Sequence, residues 1–140
     1  MSMPDAIGPL LKSIHERMKA SADADLKAQG LTFAQSQVIV FLRDVGGQAL
    51  QKQIEEHLDV SHPTVTGIVG RMEKNGFVRT WADERDHRNK VVKLTDKSEE
   101  VGVAMERTMR AREECLLEGL DQHDRSELRR LLRQVYKNLQ

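Results

Sequence analysis

The sequence predicts a mainly α fold with a minor β component (α+β), and three observations carry that reading. Apolar residues recur at helical spacing over most of the chain. Strand-like composition is confined to two short runs between Phe77 and Leu94. Aromatic residues make up only 4%, while Leu, Val, Ala, Met, Glu, Arg and Lys dominate, which favours helices over a large sheet. With 140 residues, 39% of them hydrophobic, the chain can bury one modest core, as a single lobe or a lobe plus a dimer interface.

Ile7, Leu10, Leu11, Ile14 and Met18 form one apolar helical stripe, so a first helix is expected over residues 4 to about 29, ended by Gly30. Thr32 and Gln35 make a capping-box pair ahead of Phe33 and the apolar run 38–42. The run alone would suit a strand; the cap and the length up to Val45 favour a buried second helix, broken by Gly46 and Gly47. Ala49 and Leu50 can pair briefly as a strand. Leu50, Ile54 and Leu58, four apart, mark a short third helix. After a turn at Asp59 and Val60, Ser61 is the N-cap candidate of a fourth helix, with Pro63 in its first turn. Val65, Ile68, Val69 and Met72 are its inner stripe, and Gly76 closes it. Residues 77–82 and 89–94 are the strands of a hairpin with a charged tip. Thr95 then caps a long fifth helix through Val101, Met105, Thr108 and Cys115, interrupted near Gly119. Asp121 or Asp124 caps a last helix bearing Leu128, Leu131, Leu132, Val135 and Leu139.

Two short helices joined by a tight turn and followed by a two-stranded hairpin form a winged helix-turn-helix, whose second helix enters the major groove of double-stranded DNA. The face opposite the apolar stripe of that helix suits this role. Ser61, His62, Pro63, Thr64, Thr66, Gly67 and Arg71 are small, hydrogen-bonding or cationic, with Gly67 and Gly70 permitting close approach and Arg71 placed for a phosphate. In the hairpin, Arg85, Asp86, His87, Arg88 and Lys90 form a cationic projection that fits the minor groove. Arg88 or Arg85 is the inserted side chain, and Asp86 orients it. The net charge of the chain is zero, yet residues 61–94 hold seven Lys and Arg against four acids. Basic charge is therefore gathered where one face would meet phosphate.

Other chemistries find no support. No stretch has the length and apolarity of a membrane span or the layout of a secretory leader, so a cytoplasmic location is expected. The single cysteine, Cys115, cannot form an internal disulfide and reads as a small buried residue on a helix. His15, His57, His62, His87 and His123 are scattered, without metal-ligand spacing, so no metal is expected. There is no nucleophile elbow, P-loop or dinucleotide turn, so neither enzymatic activity nor a cofactor is expected.

The hairpin stretch Asp83-Glu84-Arg85-Asp86-His87-Arg88-Asn89-Lys90-Val91-Val92-Lys93-Leu94-Thr95 resembles the wing signature of the MarR family of bacterial transcription regulators, with D-x-R and L-T at fixed distance. Ser61-His62-Pro63-Thr64-Val65-Thr66 and Arg71-Met72-Glu73-Lys74-Asn75-Gly76-Phe77-Val78 are similar to the family's recognition helix and the turn after it. The match in helix order covers essentially the whole chain as one domain, with a DNA-binding lobe over about 31–95 and dimerisation helices over about 4–29 and 96–140. The resemblance implies a homodimer with interlocked first and last helices, reading a pseudo-palindromic operator, usually as a repressor. It also implies a small aromatic or anionic ligand that lowers DNA affinity. Two positions depart from the pattern: Gly67 stands where many relatives place Arg, and Ser98 where Gly is common. The alternative is a winged helix used as a protein-interaction or dimerisation module without specific DNA binding.

Overall fold

The computed structural model describes residues 5–140; Pro4, the expected start of the first helix, lies outside the described residues. The elements run α1 (Ile7–Ala28), α2 (Phe33–Asp44), β1 (Gln48–Leu50), α3 (Gln51–Leu58), α4 (His62–Lys74), β2 (Val78–Ala82), β3 (Lys90–Leu94), α5 (Asp96–Leu116) and α6 (Gln122–Asn138). The three strands form an antiparallel sheet in the order β1-β3-β2, with Ala49 opposite Val92 and Thr80 opposite the same residue from the other side.

Local chemistry explains most of the boundaries. Thr32 Oγ1 accepts from the Gln35 N–H while Gln35 Oε1 accepts from the Thr32 N–H, both at 3.2 Å, closing the capping box of α2. α1, α2 and α4 end alike. In each, a glycine with positive φ (Gly30, Gly46, Gly76) donates three residues back and the next residue donates five back, as in Leu31 N–H to Leu26 O at 2.9 Å. That pair of bonds satisfies carbonyls the helix cannot, and it needs a left-handed residue that glycine adopts without steric cost. α3 ends on Asp59, at φ 53, a conformation that Asp tolerates better than most residues.

The chain falls into two compact units, Met1–Gly102 and Val103–Gln140. In the first, Val65, Ile68, Val69 and Met72 of α4 are buried together with Val38, Ile39 and Leu42 of α2, Ile54 of α3, and Val78, Val91, Val92 and Leu94 of the sheet. Thr95 opens α5 by a reciprocal cap: its N–H donates to Ser98 Oγ at 2.9 Å and its Oγ1 accepts from the Ser98 N–H at 3.4 Å. Ser98, fully buried, also donates its hydroxyl to Thr95 O. The departure from glycine at this position thus supplies half of a cap. Nearby, Arg43 Nη1 donates to Gly102 O at 2.8 Å, and its aliphatic stem occupies the space where a Cβ would stand.

In the second unit, Arg125 joins the end of α5 to the start of α6. Its guanidinium donates to the carbonyls of Leu120 and Leu117 and pairs with Glu114 at 3.1 Å. Asp121 caps α6, accepting from the Asp124 N–H at 2.8 Å, and Asp124 reciprocates. On the exposed face of α6, hydrogen bonds from Arg130, followed by its charge, hold the Glu127 carboxyl below its usual range. Cys115 corrects an expectation: it is exposed. Among the described residues of this unit only Met105 and Leu117 are buried, because two helices alone have too little partner surface to cover more.

Two glycines should respond oppositely to alanine. A Cβ at Gly70, exposed within α4, meets nothing within 4 Å, so Gly70→Ala should stabilise by about 0.5–1 kcal/mol. At Gly102 a Cβ would lie 2.6 Å from Arg43 Cδ, so Gly102→Ala should lose about 1–3 kcal/mol through overpacking. Urea denaturation of both variants checks this; equal gains would show that Arg43 does not hold that turn.

Candidate nucleic-acid interface

The site residues expected from sequence come from two elements of the first unit, α4 and the β2–β3 hairpin. Burying Val65, Ile68, Val69 and Met72 fixes the rotation of α4, since these positions recur three and four apart. Ser61, His62, Pro63, Thr64, Thr66 and Arg71 are consequently exposed together, with Gly67 half-buried between them. Ser61 is the N-cap: its Oγ accepts from the Thr64 N–H at 3.4 Å and lies 2.8 Å from Thr64 Oγ1. Pro63 sits in the first turn, where a missing N–H leaves no bond unmade. The free N–H groups of that turn add a partial positive charge suited to phosphate.

Part of this face is organised from beneath by α3, through residues that the sequence reading passed over. Gln51, buried, donates from Nε2 to Thr66 Oγ1 at 2.9 Å and to Glu55 Oε2 at 3.2 Å. Glu55 Oε2 also lies 2.7 Å from His62 Nδ1. A polar network therefore runs under the start of α4, and it leaves the Thr66 hydroxyl proton available to an outside acceptor. Only the apolar period of α3 was legible; a buried glutamine has no distinguishing pattern. Around Gly67 the room is used by the protein itself, since a Cβ there would stand 3.4 Å from Arg71 Nη1. The missing side chain makes space for the Arg71 guanidinium along the helix surface.

The hairpin tip is built on Asp86. Its Oδ1 accepts from the Arg88 N–H at 3.1 Å and from Arg88 Nε at 3.2 Å, while Oδ2 accepts from Asn89 Nδ2 at 3.3 Å. The backbone closes the turn with Asp83 N–H to Asn89 O and Asn89 N–H to Asp86 O, both at 2.9 Å. Arg88 remains 92% exposed despite its carboxylate partner, so the pair adds little stability and mainly restricts the guanidinium. Arg85, His87 and Lys90 are exposed on the same hairpin, Lys90 at the base of β3 opposite Ala82. The hairpin is tied to α4 by Glu73, whose Oε2 accepts from the Thr80 N–H at 2.7 Å and from Thr80 Oγ1 at 2.8 Å.

Among the described residues no three His, Cys, Asp or Glu side chains converge on a metal site, and no helix is long and apolar enough to cross a membrane. His57 stacks on Phe41, their ring centroids 4.4 Å apart.

A model of the MarR family matches residues 29–89. The HTH-type transcriptional regulator YwoH of Bacillus subtilis is 37% identical over 105 residues, 72% of this chain and 73% of YwoH. The crystal structure of the transcription regulator MarR from Oenococcus oeni is 25% identical, with a TM-score of 0.65 over 94% of this chain and 99% of that one. MepR of Staphylococcus aureus in its complex with DNA shares the fold, with a TM-score of 0.73 at 22% identity over 96% of this chain and 97% of the other.

If Glu73 anchors the hairpin, Glu73→Ala should speed hydrogen exchange at the Thr80 amide about tenfold, the expected effect of losing a bond to a charged acceptor. Amides of α2 should be unaffected. Unchanged exchange at Thr80 would show that Glu73 does not anchor the hairpin.

Proposed function

The chain belongs to the MarR family of transcription regulators, and on that premise we propose that it is a homodimeric, sequence-specific DNA-binding protein of the cytoplasm. It acts as a ligand-released repressor on a pseudo-palindromic operator and catalyses no reaction. One observation carries the reading: burial of the apolar stripe of α4 turns a cap-and-hydroxyl face with Arg71 outward, in the same unit as a cationic hairpin tip. The α4 face is suited to base edges and phosphates in the major groove, and Arg88, held by Asp86, to the minor groove.

The dimer is supported by what one chain leaves uncovered. Ile7, Leu11, Ile14 and Met18 of α1 and Leu128, Leu131, Leu132 and Val135 of α6 are between 37% and 61% exposed, and neither helix has a buried residue. Apolar stripes of that length are covered most simply by the same surfaces of a second copy. The proposal includes an effector, a small aromatic or anionic ligand that lowers DNA affinity, and no cofactor.

Affinity selection of genomic fragments at moderate salt should enrich a pseudo-palindrome with half-sites about one helical turn apart. Binding should fall steeply as salt rises. Arg88→Ala should cost about 1–3 kcal/mol of DNA affinity while the dimer stays intact by sedimentation. Weak binding without sequence preference would instead identify an interaction module. Truncation after Ser126 removes most of α6 and should yield monomers or insoluble chain; a stable dimer after that cut would refute the interface.

A further inference from the structure

We propose that Glu55 is a positioning residue for sequence readout: it fixes the tautomer of His62, so that His62 offers Nε2 to DNA as a hydrogen-bond acceptor and selects a base whose exocyclic amino group lies in the major groove, adenine or cytosine. This rests on the reading of α4 as the recognition helix.

The tautomer follows from what a carboxylate can do. Ionised, it only accepts hydrogen bonds, so the 2.7 Å contact between Glu55 Oε2 and His62 Nδ1 requires the proton on Nδ1. The second ring nitrogen of the neutral imidazole is then a bare acceptor. Gln51 Nε2 stands 3.5 Å from the same Nδ1, but both atoms carry hydrogens and no bond joins them. That amide spends its two N–H groups on Thr66 and Glu55 instead. Glu55 is thus held by a buried neighbour while it holds the histidine.

Burial divides the pair in the way such a support requires. The Glu55 side chain is 18% exposed and that of His62 is 70% exposed. Nδ1 is directed to Glu55 of α3, and the lone pair of Nε2, the other ring nitrogen, diverges from that contact. His62 is the first residue of α4, and the N-terminal residues of a recognition helix are those that reach base edges. An acceptor there matches the amino group of adenine N6 or cytosine N4 and is mismatched to guanine O6 and N7, which are themselves acceptors. Glu55 itself touches no DNA; its effect passes through the ring.

The test pairs a tautomer measurement on the free protein with a base-preference profile. Nitrogen NMR of the neutral His62 ring should report the Nδ1–H form in the wild type. In Glu55→Leu, which removes the acceptor at similar volume, the ring should revert to a mixture. In a binding assay over all single-base variants of the selected operator, the wild type should prefer adenine or cytosine at one position per half-site. Glu55→Leu and His62→Ala should both flatten that position by roughly two- to tenfold and leave the others unchanged. Glu55→Gln, which keeps a neutral acceptor in place and disturbs the network least, should restore part of the preference. An Nε2–H ring in the wild type would overturn the proposal whatever the DNA results. So would a preference that survives Glu55→Leu but not His62→Ala, or an equal loss at every position. If the wild type selects no sequence at all, the regulator reading falls first and takes this one with it.

Discussion

The structure depends above all on burial of one stripe, Val65, Ile68, Val69 and Met72, on α4. A helix that hides positions three and four apart can rotate very little without exposing apolar surface, at roughly 25 cal/mol per Å². The outward face is therefore determined by the inward one. Ser61, His62, Thr64, Thr66 and Arg71 need no separate mechanism to share a surface; they are what remains once the stripe is covered. Gly67, half-buried at the margin, leaves room for the Arg71 side chain to lie along the helix.

Around that helix, polar contacts from other elements supply precision that packing does not. Gln51 and Glu55 reach it from α3, and Glu73 reaches from α4 to the backbone of β2. Hydrogen bonds have preferred directions, whereas apolar contacts tolerate small rotations. These few residues set the orientation of His62 and Thr66 and the attachment of the hairpin. Arg43, donating to Gly102 O, plays the same part between α2 and the first turns of α5. The charged hairpin tip is held by backbone bonds across the turn and by one carboxylate, Asp86, which binds the backbone and the guanidinium of Arg88 together.

The first and last helices obey a different constraint. Both are amphipathic, α6 the more strongly, and neither buries a residue in the single chain. Capping at Asp121 and the grip of Arg125 on the end of α5 explain why α6 starts where it does, but they do not cover its leucines. Exposure of Cys115 belongs to the same shortfall of partner surface. A second copy, as proposed, would supply what the chain lacks, and association would then be part of the stability of these helices rather than an addition to it.

The sequence by itself determined the order and kind of every element, because the signals are local: the Thr32–Gln35 box, glycines after α1, α2 and α4, Ser61 with Pro63, and a change of period at Phe77. It also placed the outward residues of α4 and the hairpin, since their positions follow from helical period and turn composition. Only the tertiary structure decided which of those residues are already engaged. His62 meets Glu55 and Thr66 meets Gln51 across seven and fifteen residues of chain, and Glu73 meets Thr80 across a turn. A polar side chain four residues from another on a helix reads the same whether it faces water or a neighbouring helix. The difference appears only when packing brings α3 beneath α4, buries Gln51, and makes an unpaired amide too costly to leave.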